Sequence, residues 1–563
     1  MSSMASEPTT LSSDWIERAR RHADVLVLGA LVCVAVDIYY GAGRGMTFFF
    51  DEWDFIFGRG GDSAAAFLSP HNGHLVVIPV LVYKVLWSTV GLGHYGPYRL
   101  LDFALHVVCV VLLFVFVRRR VGGAVAVIAA TSLLFLGPAW QDLLWPFQIG
   151  YLGSIAAGLG ALLTLERGDR RGDIAAGVLL LLSIACSGLG LPFLAGAGFC
   201  LLIERRSWPR LWLLAIPAIP YLVWYLHYGQ NQASSSNVSA VPSYVFDSFA
   251  GGVGAISALG TTHGKILAVV LAAVAVAATI AFRRPWLPVL PFVAIALAFW
   301  GLTALSRAQL HEPNASRYLY PSAVMIILVV AELLRGVRFR PAPLVLLAAA
   351  LVVASIYNLQ SLHDGANGLR DTDAVVAAEL AAVELEKATV PADFRPDTSR
   401  APQISAGPYL TAVRELDSSP ALPEPVLATQ SPTIRLEVDR VLAAIITPTL
   451  VSSRDAPTAR KAPQLQGHGG GALVRQNGCL VFRPRFGGLP PSLDVVVPAN
   501  GLVVRSSGKV GVRILRFADA YSEIPSTALK PGVALLRPPR DAAPEPWRIR
   551  FAPSTATTIC SAR

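Results

Sequence analysis

The sequence predicts a polytopic α-helical membrane protein of about 11 transmembrane helices, followed by a C-terminal external α+β domain that contains a β-sandwich. Three observations predict it. The 563-residue chain has a mean hydropathy of +0.52, with 53% hydrophobic and only 15% charged residues, outside the range of an ordinary soluble enzyme. Its apolar residues fall in runs of about 20 as far as residue 358, the length that crosses a bilayer. Beyond 358 the apolar runs are short, partly alternating, and punctuated by Pro and Gly.

Charge narrows the class of partner. The formal net charge is +10, and on this reading much of the excess lies in short basic clusters between hydrophobic runs, where Lys and Arg orient a membrane protein. No continuous basic face or nucleic-acid motif appears, so no nucleic acid is expected. No Walker-type or GxGxxG loop lies at a strand-to-helix junction, so no nucleotide cofactor is expected either.

Residues 1–23 form a tail bearing Arg18, Arg20 and Arg21. The first span, from Asp24 to about Tyr40, lacks a small-residue cleavage site and reads as an uncleaved anchor. The loop 41–98 follows. Within it the apolar run 75–90, interrupted by Lys84, decides the topology. If that run crossed the membrane, Arg118-Arg119-Arg120 would be external. If it lies along the outer interface, every later basic cluster falls on the cytosolic side. The interfacial reading is adopted, with the N-terminus cytosolic and the C-terminal part outside.

The remaining spans are then 99–117, 121–137, 149–166, 174–188, 189–203, 208–228, 264–282, 286–305, 319–335 and 341–358. The short pair joined through Ser187-Gly188-Leu189-Gly190 reads as a tight hairpin. Loops at ~138–148, ~229–263 and ~306–318 share the outer side with 41–98. Residues 24–358 make the transmembrane domain. Residues 359–434 read as a helical and Pro-rich connection, with an amphipathic helix at 371–387 and a short one near 409–416; 435–563 read as β-rich. Four of the six cysteines lie in apolar runs, while Cys479 and Cys560 lie in the soluble part and would pair as a disulfide outside the cytosol.

Polar residues suited to chemistry concentrate in the outer loops. Asp51, Glu52 and Asp54 sit among Phe48, Phe49, Phe50 and Trp53 directly after the first span. An aromatic belt lowers local water, and a carboxylate so placed can act as a general base or hold a divalent cation, Mg or Mn, with Asp54 the candidate metal contact. His71 and His74 flank Asn72-Gly73; imidazoles there suit phosphate binding, proton transfer or capping of the following helix. Asp142 offers a second acidic group between two tryptophans. His311, Arg317 and Tyr318 occupy the last outer loop, where an arginine departs from the orientation bias and suits a phosphate.

An acidic pair in the first outer loop, a His-rich segment before an interfacial helix, and Arg317-Tyr318-Leu319-Tyr320-Pro321 before a span together resemble the GT-C superfamily of membrane glycosyltransferases. These include protein mannosyltransferases and aminoarabinose transferases of lipid A. The resemblance covers 24–358 and implies a polyprenyl-phosphate sugar donor. It implies Asp51, with Glu52, as catalytic base or metal contact, and Arg317 near the lipid phosphate. His71-Asn72-Gly73-His74 departs from the His-Pro-Pro of the mannosyltransferase branch, so sugar and acceptor are not inherited from it. The C-terminal part resembles, in general plan, the β-rich carbohydrate-binding domains of actinobacterial arabinosyltransferases.

The expected function is inverting transfer of a sugar from a polyprenyl-phosphate donor to a cell-envelope glycan, lipid or protein at the outer face of the cytoplasmic membrane. Two alternatives stand beside it: a lipid-linked-sugar flippase, disfavoured by sparse intramembrane charge (Asp37, Lys84 and Glu332), and a non-catalytic envelope protein that binds glycan.

Overall fold

The computed structural model describes residues 22–283, 285–445, 449–450, 461–485, 487–537 and 545–562. The chain forms two compact units. The first comprises 1–45, 59–87 and 95–369; the second comprises 46–58, 88–94 and 370–563.

The first unit is helical. All eleven expected spans are helices, and eight helices among the described residues are long and apolar enough to cross a membrane, or nine if the pair Gly123–Leu134 and Gly137–Leu144, bent by 45°, counts as one broken span. The two that fall short, Arg170–Cys186 and Gly190–Ile203, are the pair expected to form a hairpin. Val77–Val90 is a 14-residue helix, about 21 Å long against a hydrocarbon core of about 30 Å. Lys84 fastens it by donating to the carbonyls of Arg59 at 2.9 Å and Gly61 at 2.6 Å. In Gly260–Ala281 only 11% of the apolar window is buried within the protein, and a lipid surround is what covers such a face.

The loop expected at ~229–263 contains a 17-residue helix, Val241–Ser257. Its glycine face admits close neighbours: a Cβ at Gly251 would fall 1.8 Å from Asn314 Oδ1. Lacking an unbroken apolar run, this segment packs as a helix because Gly251, Gly252 and Gly254 let it approach the Ser316–Leu333 and Gly260–Ala281 helices.

Charge locks one end of the bundle. Arg120, buried at the end of the Gly96–Val121 helix, pairs with Glu332 at 2.6 Å and with Glu166 at 2.7 Å. Its guanidinium lies 3.4 Å from the centre of the Phe116 ring. Three helices are therefore tied through one side chain.

The second unit joins two helices and a sandwich to the end of a 45-residue helix, Pro341–Leu385. That helix runs unbroken past residue 358, and the two units divide within it between Leu369 and Arg370. Ala406–Leu416 lies where a short helix was expected. Pro432–Ile445 is a helix where only Pro-rich and β-rich sequence was read. Its signal is Ser431-Pro432 at the start, with the Ile434 N–H donating to Ser431 Oγ, and buried Ile434, Val438, Val441 and Leu442 at helical spacing.

The antiparallel sandwich is as expected. One sheet has the order β1-β9-β6-β11-β4-β3 and the other β2-β5-β10-β7-β8, where β1 to β11 are Thr449–Leu450, Leu465–Gly469, Gly471–Gln476, Cys479–Pro484, Ser492–Val496, Leu502–Ser506, Val510–Leu515, Thr527–Leu529, Gly532–Leu536, Arg548–Pro553 and Thr557–Ser561. Alternating Leu480, Phe482, Leu493, Val495, Val510, Val512, Ile549 and Phe551 fill the core. Cys479 and Cys560 form a disulfide between the neighbouring strands β4 and β11. It ties the fourth strand to the last.

Asp439 secures the Pro432–Ile445 helix to the sandwich. Its Oδ2 accepts the N–H groups of Arg516, Phe517 and Ala518 at 3.0, 2.9 and 2.7 Å. Burial nevertheless pushes its carboxyl up to about 6, against the pull of those donors.

Two measurements check these contacts. Arg120→Ala leaves two carboxylates facing a lost partner and should cost about 3–5 kcal/mol of stability in detergent. Asp439 binds its proton more tightly folded than unfolded, so its contribution is whole below the unfolded value of about 4 and is lost as pH rises through about 6. Asp439→Asn keeps an acceptor without the charge, so between pH 4 and 7 its thermal stability should gain on the wild type by roughly 3 kcal/mol at most. Parallel pH curves would contradict this.

Candidate functional site

At the end of the helical unit opposite Arg120, two turns and two helix ends gather polar side chains. His71-Asn72-Gly73-His74 closes on itself, His71 N–H donating to His74 O at 3.0 Å and His74 N–H to His71 O at 2.9 Å. Both central residues are left-handed, Asn72 at φ 50° and Gly73 at φ 81°, which is why Asn-Gly stands there. Arg307, at the end of the Leu290–Arg307 helix, donates to Asn72 O at 3.2 Å. The His71 ring lies 5.3 Å from that of Phe147. The His74 ring rests against Gly188, where a Cβ would fall 2.4 Å from Nδ1. Burial, followed by the charges of Arg307 and His71, pushes the His74 imidazole down to about 4. His74 is therefore neutral at pH 7, with one nitrogen to donate and one to accept.

The start of the Ser316–Leu333 helix is stitched to the loop that contains Asp142. Ser316 Oγ donates to Pro138 O at 2.8 Å and accepts the Gln141 N–H at 3.0 Å; Gln141 Oε1 accepts the Arg317 N–H at 3.1 Å. Arg317 lies 3.6 Å from the exposed carboxylate of Glu312, and its guanidinium carbon is 4.9 Å from the Tyr318 ring centre. Asp142, next to Gln141, is fully buried, and neither of its oxygens has a hydrogen-bond partner among the described residues. Asp102 and Arg317 are the charged side chains whose fields reach it. The charges of Arg307 and Arg317 both reach Tyr151 and Tyr244. His311 is exposed in a left-handed turn position at φ 56°.

Sequence reasoning places Arg307 in the last outer loop with Arg317 but gives it no role of its own, and it missed a buried polar group near Asp142. Tyr39 O–H donates to Leu134 O at 2.8 Å; His106 places Nε2 3.3 Å from the same carbonyl and Nδ1 2.8 Å from Tyr320 Oη. Asp102, one helical turn before His106, is also buried. Intramembrane polarity is thus not confined to Asp37, Lys84 and Glu332. An Asp and a His four residues apart in one apolar span was the available signal.

The acidic stretch belongs to the second unit. Glu52 is buried and its Oε2 accepts the Phe49 N–H at 2.7 Å, while its own N–H donates to Phe49 O at 3.2 Å. Its carboxylate thereby holds a turn in which Phe50 is left-handed at φ 43°. Trp53 is buried 5.3 Å from the Phe48 ring and 6.1 Å from that of Phe57. Asp54 opens a π-helical turn, Asp54–Gly58, of a kind common at functional sites. The Thr47 N–H donates to Asp373 at 3.1 Å. Asp51 is half-buried. Among the described residues no three His, Cys, Asp or Glu side chains are grouped to hold a metal ion.

The structure therefore gathers Arg317, Tyr318, His71, His74 and Asp142 within the first unit, and Asp51, Glu52 and Asp54 within the second. No family model and no curated protein matches the chain. Among solved structures it is similar to ArnT from Cupriavidus metallidurans in the apo state, with a TM-score of 0.46, 14% identity, and coverage of 67% of this chain and 82% of that one. It is also similar to ArnT from the same organism bound to undecaprenyl phosphate, with a TM-score of 0.40, 15% identity and the same coverage.

Gly188→Ala should displace the His74 ring, at about 1–3 kcal/mol of stability. Solution NMR of labelled histidine should show the low-titrating imidazole return toward 6.5. An unchanged titration would refute the contact.

Proposed function

We propose that the protein is a GT-C-type glycosyltransferase that moves a sugar from a polyprenyl-phosphate donor to a cell-envelope acceptor at the outer face of the cytoplasmic membrane. The observation that carries the reading is the convergence of Arg307 and Arg317 with neutral His74 at one end of the helical bundle. Two guanidiniums neutralise a phosphate. Tyr318 lies against the Arg317 guanidinium, His71 and His74 offer hydrogen bonds to the sugar or phosphate, and Asp142, whose carboxyl burial pushes well above its ordinary range, stands as a proton-holding acid beside them.

Asp51 is the proposed general base. Glu52 holds the turn with its carboxylate, which leaves Asp51 the better candidate of the neighbouring pair. In the step itself, the acceptor oxygen attacks the anomeric carbon as its proton passes to Asp51. The carbon–oxygen bond to phosphate breaks with inversion, and polyprenyl phosphate leaves with the electron pair.

A lipid-linked-sugar transporter is the second reading, and buried Asp102 and His106 favour it. Proteoliposomes loaded with a synthetic polyprenyl-phosphate sugar separate the two. Glycoside formation supports transfer, whereas movement of donor without product supports transport. For transfer, Arg317→Ala should lower kcat/KM about 100-fold, and Asp51→Asn should lower kcat at least about 100-fold with donor affinity retained. Full turnover by Asp51→Asn would remove its role as base.

A further inference from the structure

The short segment that leads into Asp51 has no ladder to pair with. Residues 46–49 belong to no helix or strand, yet Met46 and Phe48 are buried. Backbone N–H groups in a stretch packed this way need acceptors from elsewhere. Two carboxyls provide them. The Phe49 N–H donates to Glu52 Oε2 at 2.7 Å, and the Thr47 N–H, two residues earlier, donates to Asp373 Oδ2 at 3.1 Å.

Directly after this segment the chain turns on three further bonds. The N–H groups of Glu52, Trp53 and Asp54 donate to the carbonyls of Phe49, Phe50 and Asp51 at 3.2, 3.1 and 3.1 Å. Asp51 therefore sits in a turn whose entry is fixed at Thr47 and Phe49, and whose exit is fixed by the Trp53 ring against that of Phe48.

Asp373 reaches Thr47 from the Pro341–Leu385 helix, well past the apolar run that ends at 358 and within the same unit as residues 46–58. Every residue of that helix from 375 to 383 is buried, so packing sets its rotation, and Asp373 itself is 2% exposed. Burial, and then the charge of Glu52, pushes the Asp373 carboxyl up to about 9, against the pull of the Thr47 N–H. Its Oδ1 has no hydrogen-bond partner among the described residues. The carboxyl is therefore protonated at pH 7 and holds the segment without adding a negative charge beside the acidic turn.

We infer that Asp373 is a positioning residue for Asp51, a role that rests on the transfer reading and is exercised through the Thr47 N–H. A base takes its proton only from a hydroxyl within hydrogen-bond reach, and a displacement of about 1 Å can cost about 100-fold. The donor phosphate is assigned to residues of the first unit, so donor KM lies outside the reach of Asp373. An acceptor is required of it and an anion is not. Asparagine should serve in its place, and alanine should not.

The test uses the full chain in proteoliposomes with a synthetic polyprenyl-phosphate sugar. Hydrogen–deuterium exchange across residues 46–54 gives a readout independent of turnover. Asp373→Ala should lower kcat about 30-fold, change donor KM by about twofold at most, and speed exchange at Thr47 and Phe49. Asp373→Asn should restore most of the turnover and of the protection. Full turnover by Asp373→Ala, a raised donor KM with kcat retained, or an Asp373→Asn variant as slow as Asp373→Ala would each overturn the inference. If the wild type forms no glycoside, the transfer reading fails and exchange decides the clamp: loosening by Ala that Asn reverses supports it, and equal exchange in all three chains overturns it. If Asp373→Ala does not fold, the wild-type Thr47 amide decides. Rapid exchange there overturns the clamp, and slow exchange shared with Asp373→Asn supports it.

Discussion

The three-way ion pair of Arg120 with Glu332 and Glu166 is the constraint on which the helical unit depends. Helices in lipid gain little from the hydrophobic effect between themselves, so their relative placement rests on packing and on polar contacts. Arg120 joins the ends of helices that are distant in sequence, and Phe116 and Phe292 wall the guanidinium off from competing partners. With that end fixed, the opposite end of the Ser316–Leu333 helix is held by Ser316 and Gln141, so Arg317 inherits its position from contacts at both termini.

The fold was largely legible because a bilayer leaves few solutions for a backbone. Runs of about 20 apolar residues announce spans, and short alternating runs between turn residues announce strands. What escaped the sequence was helix without an apolar run. Val241–Ser257 owes its place to glycines that permit close approach, and Pro432–Ile445 to a cap and a modest apolar stripe. Neither raises hydropathy enough to stand out.

The candidate site was legible residue by residue but not in its connections. Arg317, His71, His74 and Asp142 follow from residue type and loop position. That Arg307 braces the His71–His74 turn, or that Glu52 spends its carboxylate on Phe49, follows from backbone geometry that residue spacing does not encode. The buried group of Tyr39, His106 and Tyr320 assembles from three separate helices, and only Asp102 and His106 share one. Sequence proximity conveys little about such a cluster.

The Cys479–Cys560 bridge has a practical consequence. It occupies both cysteines of the soluble domain, and the remaining four, Cys33, Cys109, Cys186 and Cys200, lie within apolar helices. The wild-type chain therefore presents a water-borne thiol reagent with no free cysteine outside its helical spans. A single cysteine introduced into any polar loop would be the sole readily labelled position, and its reactivity from either side of a sealed vesicle would report which face of the membrane that loop occupies.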